Sequence, residues 1–182
     1  MDTDHNDGHN PIFLSLIQPN IGLDDDSRRP VVEILNNTLA NEAVLSLKTR
    51  AAHWNVSGAG FFELHILFDT HYKQLNDISD KIAERVRILG AFTISSFDEF
   101  LAHTHLTEQP GVIPDILHLL ADHETVIRLI REDAKKCSEE YEDEGTSDLL
   151  ISIMRLHEKI AWMLRSYIEV EPIHGEIQKR NK

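Results

Sequence analysis

The chain has 182 residues, 41% of them hydrophobic. That suits one domain with a single substantial core, and it argues against a disordered protein or a disulfide-stapled mini-scaffold. With 31 Asp and Glu against 18 Lys and Arg, the formal charge is −13, which repels DNA and anionic membrane and draws cations toward any concave region lined by carboxylates. The lone Cys137 excludes an internal disulfide framework, a zinc knuckle and a CxxC redox pair, and it fits a reducing compartment. No apolar run approaches the roughly 18 residues needed to span a bilayer. The opening MDTDHNDGHN has no Lys or Arg for a secretory signal, so a cytoplasmic protein without membrane contact is expected.

Residues 1–27 contain six Asp, no basic residue, the breakers Asn10-Pro11 and Pro19-Asn20, and one apolar patch from Ile12 to Ile17. They read as an acidic tail whose apolar middle lies on the body of the protein or on a neighbour. His5 and His9, with Asp2, Asp4 and Asp7, are candidate zinc ligands there, although their Asn, Gly and Pro neighbours offer no rigid scaffold. Residues 28–170 read as helical. Val31, Leu35, Leu39, Ala43 and Leu47 recur every four residues, after an expected Ser27 cap with Pro30 in the permissive first turn. The second helix, residues 61–89, carries Leu64, Phe68, Tyr72, Leu75, Ile78, Ile82, Val86 and Leu89 at spacings of three and four, and Gly90 stops it. A third runs from about Asp115 through Leu119, His123, Val126, Ile130, Ala134 and Cys137 to Tyr141. The last runs from about Ser147 through Leu149, Ile153, Leu156, Ile160, Met163 and Tyr167 until Pro172 closes it. Residues 171–182 form a C-terminal tail.

The connections around Gly58-Ala59-Gly60 and Glu142–Thr146 are short and make antiparallel neighbours. Residues 91–111 are too many for a structureless loop, and Ser96–His103 can form a short helix within them. The expected fold is all-α, a four-helix bundle with a short helix in the long crossover between helices 2 and 3. This is the ferritin-like arrangement.

One constellation carries chemistry. His53 lies six residues before Ala59 and His65 six after it, so a hairpin folded at this turn sets the two imidazoles side by side, with Asp69 one turn beyond His65 on the same face. Farther along the second helix, Asp80 and Glu84 share that sector, but Asp69 and Asp80 are 11 residues apart, or about 16 Å along the axis. One centre cannot use all five from a single chain. However, the pairs His65/Glu84 and Asp69/Asp80 share the midpoint 74.5. Two copies of this helix packed antiparallel about a two-fold axis there would bring His65 to Glu84 of the other copy and Asp69 to Asp80, giving two identical sites at an isologous interface. Two imidazoles with three carboxylates suit iron, with manganese or zinc as competitors, and are too rich in nitrogen for calcium. Taken singly, each residue also fits a packed histidine or a solvated carboxylate, so the shared midpoint carries the argument.

The segments His53-Trp-Asn-Val-Ser-Gly58, Phe62-Glu-Leu-His-Ile-Leu-Phe-Asp69 and Asp80-Lys-Ile-Ala-Glu-Arg-Val-Arg-Ile-Leu-Gly90 resemble the Dps family of mini-ferritins, over residues 30–170. The resemblance implies a hollow homododecameric shell with a di-iron ferroxidase centre between two-fold-related subunits. One subunit would supply His53, His65 and Asp69, and the other Asp80 and Glu84. It implies oxidation of Fe(II), preferably with hydrogen peroxide rather than O₂, storage of the ferric mineral inside, and protection against oxidative damage. Trp54 matches the aromatic beside the family's centre, where radical quenching is the implied role and interfacial packing the alternative. The family's three-fold iron pores lie near Tyr141–Asp148, which makes Glu144 and Asp148 the implied pore lining, although acidic residues there also complement a helix dipole.

Other readings are weaker. The Glu-x-x-His pattern of single-subunit di-iron bundles occurs only as Glu171-Pro-Ile-His174, past the last helix. His103, His105, His118 and His123 are expected on the surface or at interfaces. The alternative function is a DNA-compacting shell with little iron chemistry. Duplex affinity needs Lys and Arg, and the acidic N-terminal tail lacks them. The counter-signal is Lys179, Arg180 and Lys182, which leave residues 170–182 a net +1. DNA binding is therefore expected to be weak or absent.

Overall fold

The structure is a computed structural model that describes residues 17–169. The zinc candidates His5 and His9, the Glu171/His174 pattern and the basic C-terminal residues lie outside the described residues. The chain forms α1 (Asp25–Asn55), α2 (Phe61–Ile88), α3 (Phe97–His103), α4 (Ile116–Glu139) and α5 (Glu144–Ile168), with no strand among the described residues. In the bundle α1 pairs with α2 and α4 with α5, each pair joined by a short turn. Contacts of α1 with α4 and of α2 with α5 close it, and α3 lies against α1.

The helices α2, α4 and α5 each bury one apolar stripe: Leu64, Phe68, Leu75, Ile78, Ile82 and Val86 on α2; Leu119, Val126, Ile130 and Ala134 on α4; Leu150, Ile153, Ile160 and Leu164 on α5. Helix α1 differs, since it is also covered by the crossover and buries polar side chains. Asn41 accepts from Thr104 Oγ1 at 3.0 Å and from His105 N–H at 2.7 Å. Lys48 donates to the Thr107 carbonyl at 3.0 Å and pairs with Asp122 at 2.5 Å. These contacts turn residues 91–111 into an ordered layer around α3, whose Ser96/Glu99 capping box fixes its start.

Two helix starts differ from the sequence reading. The cap of α1 is Asp24, not Ser27. Its carboxylate accepts the Ser27 N–H at 2.8 Å, Asp25 and Asp26 occupy the first turn where they complement the dipole, and Pro30 falls in the second turn instead of the first. Helix α5 starts at Glu144 instead of about Ser147, because Asp143 caps it through the Thr146 N–H at 2.9 Å while Arg85 of α2 grips the same carboxylate at 2.7 Å. Gly90 ends α2 as expected, at φ 87, and a Cβ there would meet Pro19 at 2.7 Å. Residues just ahead of α1 therefore cross the end of α2.

Candidate metal centre

The α1–α2 hairpin sets the first part of the site. Gly58 and Gly60 turn the chain at φ 81 and 79, and a Cβ on Gly60 would stand 1.9 Å from the Tyr167 hydroxyl, so the turn is tied to the end of α5 and admits only glycine. It brings His53, in the last turn of α1, beside His65 of α2. Their rings stack with centroids 3.9 Å apart and planes 22° from parallel. Nδ1 of His53 lies 2.9 Å from the His65 carbonyl, and Nδ1 of His65 lies 3.0 Å from the His53 carbonyl. A carbonyl oxygen only accepts, so both Nδ1 atoms carry the proton and donate. Nε2 of each ring stays outside this pairing, the arrangement that prepares histidine for a metal ion.

Asp69 follows one turn along α2. Tyr72 Oη donates to one carboxylate oxygen at 2.7 Å and Lys73 Nζ to the other at 2.7 Å. The Lys73 contact, followed by that of Tyr72, holds the Asp69 carboxyl below its ordinary value, and the Tyr72 phenol is raised in turn. Tyr72 also stands edge-on to the His53 ring at 5.5 Å, which links the carboxylate to the histidine pair.

Asp80 and Glu84 lie on the exposed face of α2 toward its other end, and the rise of a helix keeps them far from the histidines of their own chain. That face leaves apolar side chains uncovered in the single chain: Phe62 is 69% exposed, Ile66 49% and Ile88 54%. Trp54, next to His53, is also exposed. Glu144 and Asp148 are exposed at the start of α5, with both Glu144 oxygens accepting from Ser138 Oγ at 3.0 Å. His118 is exposed against Asp115, His105 is exposed, and His103 is half-buried on Asn37.

His123 departs from the expectation of a surface or interface residue. It is 1% exposed, inside the bundle, with Glu42 of α1, His71 of α2 and His157 of α5, which are 0–1% exposed. His157 Nε2 lies 2.9 Å from Glu42 Oε1 and His157 Nδ1 lies 2.8 Å from His123 Nδ1. The rings of His71 and His123 meet edge to face at 6.5 Å. Burial pushes the His71 imidazole down to about 4, and it holds His123 well below its ordinary value, with His157 and His71 adding to the effect. The sequence reading missed this cluster although a signal was present. Each member sits at a core position of its helix: Glu42 between Leu39 and Leu45, His71 between Phe68 and Leu75, His123 between Leu119 and Val126, His157 between Ile153 and Ile160.

The Ferritin family model, described as a ferritin-like domain, matches residues 32–172. The chain is 44% identical over 158 residues to an uncharacterized low temperature-induced protein of Nostoc, covering 85% of this chain and 88% of that protein. It is 30% identical over 145 residues to a DNA protection during starvation protein of Listeria innocua, covering 78% of this chain and 93% of the relative. Among solved structures, DpsC from Streptomyces coelicolor superposes with a TM-score of 0.82 at 29% identity, over 87% of this chain and 94% of that one. The Dps protein from Vibrio cholerae gives 0.78 at 32%, over 86% and 99%. With a bundle of the same topology and relatives of this identity across most of its length, the chain belongs to the Dps family of mini-ferritins.

Proposed function

We propose that this protein oxidises Fe(II), preferably with hydrogen peroxide and otherwise with O₂, and stores the ferric product inside a hollow homododecamer, protecting its cell against oxidative damage. The observation that carries this reading is the reciprocal pair of Nδ1–H bonds between the stacked rings of His53 and His65, which leaves Nε2 of each ring outside the pairing. The family, and the description of the Vibrio relative as a ferritin-like diiron-carboxylate protein, support iron as the substrate metal.

Each residue has a role that follows from its chemistry. His53 and His65 bind Fe(II) through Nε2, while their Nδ1–H bonds fix ring orientation. Asp69 supplies the carboxylate, kept ionised by Lys73 and Tyr72, and exchanges those donors for the metal. Asp80 and Glu84 of a two-fold-related copy complete the set, and Phe62, Ile66 and Ile88 supply apolar surface for that contact. The N/O donor set also admits Zn(II) or Mn(II) as competitors. Trp54 stands where it can give up an electron to a reactive oxidant, and Glu144 and Asp148 concentrate Fe(II) at the pores. The acidic balance of the chain makes DNA binding weak or absent, and the buried Cys137 thiol, pushed up to about 12 by burial, suits a cytoplasmic protein. No helix among the described residues is long and apolar enough to cross a membrane.

The test is His65→Ala combined with Asp69→Ala, assayed by rapid mixing of Fe(II)-loaded protein with peroxide. The oxidation rate should fall about 100-fold or more, with the assembly unchanged by light scattering. A wild-type rate in the assembled double variant refutes the assignment.

A further inference from the structure

The four buried residues in the bundle core do not belong to that centre. The pitch of α2 places His71 on the side of the helix opposite the face shared by His65 and Asp69, and His71 is 1% exposed. The internal hydrogen bonds are incomplete: Glu42 Oε2, His71 Nε2 and His123 Nε2 are buried with no partner. Two nitrogens that face each other, as His123 Nδ1 and His157 Nδ1 do, hold one proton between them. One arrangement that makes both contacts has His157 Nε2–H donating to Glu42 Oε1 and His157 Nδ1 accepting from His123 Nδ1–H, which leaves His123 Nε2 as a bare lone pair. The buried Lys48 does not complete the network, since it is bound to Asp122 and the Thr107 carbonyl. A buried polar atom without a partner is costly, and Glu42 Oε2, His71 Nε2 and His123 Nε2 stand unpartnered on three different helices.

We propose that Glu42, His71, His123 and His157 form a second metal site, inside each four-helix bundle, for a divalent transition ion of the zinc or iron(II) class. His71 and His123 bind through Nε2 and Glu42 through Oε2. His157 bridges Glu42 and His123, holding the ligand tautomer as outer hydrogen-bond partners of metal-bound histidines do. Two imidazoles and one carboxylate exclude calcium and magnesium and leave room for a further ligand. Among the described residues no three such side chains already converge on a common point, and this is equally true of His53, His65 and Asp69. In the core, the His71 and His123 ring centres, now 6.5 Å apart, must close to about 5 Å to share a tetrahedral ion with bonds near 2.0–2.1 Å. The ion therefore gathers its ligands and draws α2 and α4 together. An ion held there exchanges slowly, because the site has no open face.

The experiment uses full-length protein unfolded with chelator, refolded and reassembled with Zn(II), then crystallised for anomalous difference maps on both sides of the zinc edge, with bound zinc counted by equilibrium dialysis. Wild-type protein and the His65→Ala/Asp69→Ala variant should both show a peak between the four helices within bonding distance of His71 and His123, at one slowly exchanging zinc per chain. Glu42→Gln, which keeps the volume and removes the charge, should fold normally and bind that zinc at least tenfold more weakly. Ordered water or an empty core in zinc-loaded crystals overturns the proposal, as does unchanged zinc affinity in Glu42→Gln. Because the two sites share no residue, a core peak in protein without peroxide-driven iron oxidation would sink the ferroxidase reading and leave this one standing.

Discussion

The two sides of α2 treat histidine in opposite ways. At the α1–α2 hairpin, His53 and His65 are half-buried, each satisfied at Nδ1 by the other's backbone carbonyl. In the core, His71, His123 and His157 are closed off from water and tied to one another and to Glu42, with buried nitrogens left unpaired. The first arrangement costs little, because water serves whatever the protein does not. The second makes every missing partner expensive. Hydrogen bonding sets the histidine tautomer in both places, but only in the core is the stability of the fold at stake.

The largest expected effect tests that difference directly. In metal-free protein, His157→Ala takes the one partner of Glu42 Oε1 and that of His123 Nδ1 and opens a cavity, and it should lower unfolding stability by about 3–5 kcal/mol. His65→Ala, at a half-buried site, should cost about 1 kcal/mol or less. Urea denaturation of the two variants measures both, and equal losses would erase the distinction. A smaller effect is expected with pH. The folded-state value of His123 lies well below its ordinary 6.5, so as pH falls below that value the unfolded chain takes up a proton that the folded chain refuses. The contribution is complete above pH 6.5 and is lost as pH falls toward the folded value, at up to about 1.4 kcal/mol per pH unit for one proton. Denaturation midpoints of apo protein at pH 7, 6 and 5 should fall more steeply for wild type than for His123→Leu. A parallel decline would place the acid sensitivity elsewhere. The smallest effect concerns supply to the open face: Glu144→Gln with Asp148→Asn should slow iron uptake about twofold to fivefold at low Fe(II) and low ionic strength, and the deficit should shrink as salt is added. No change in low salt removes these residues from the pore.

The contrast also explains what the sequence made legible. The helices α2, α4 and α5 each bury one stripe, so their spacing of three and four reads directly, and the Gly58–Gly60 turn makes the His53/His65 pairing a matter of counting. Helix α1 is buried on several sides, and its Asn36, Asn41 and Lys48 bind the crossover, which apolar periodicity cannot show. The starts of α1 and α5 were misplaced because the aspartates that cap them stand among other acidic residues, and only contacts such as Arg85 with Asp143 single one out. The core cluster stayed hidden because its members lie far apart along the chain. His123 looks like one polar interruption of a stripe until His71, His157 and Glu42 appear at the same level.

The proposed iron centre joins His53 of α1 and His65 and Asp69 of α2 in one subunit to Asp80 and Glu84 of α2 in another, and subunit mixing tests that sharing most directly. Neither His65→Ala/Asp69→Ala nor Asp80→Ala/Glu84→Ala should oxidise Fe(II) rapidly alone. Co-refolded in equal amounts, half of the two-fold pairs are mixed, and each mixed pair rebuilds one intact centre of its two. Peroxide-driven oxidation should then recover to about a quarter of the wild-type rate. Recovery no greater than that of either variant alone, in shells shown by mass spectrometry to contain both chains, would contradict a centre shared between subunits.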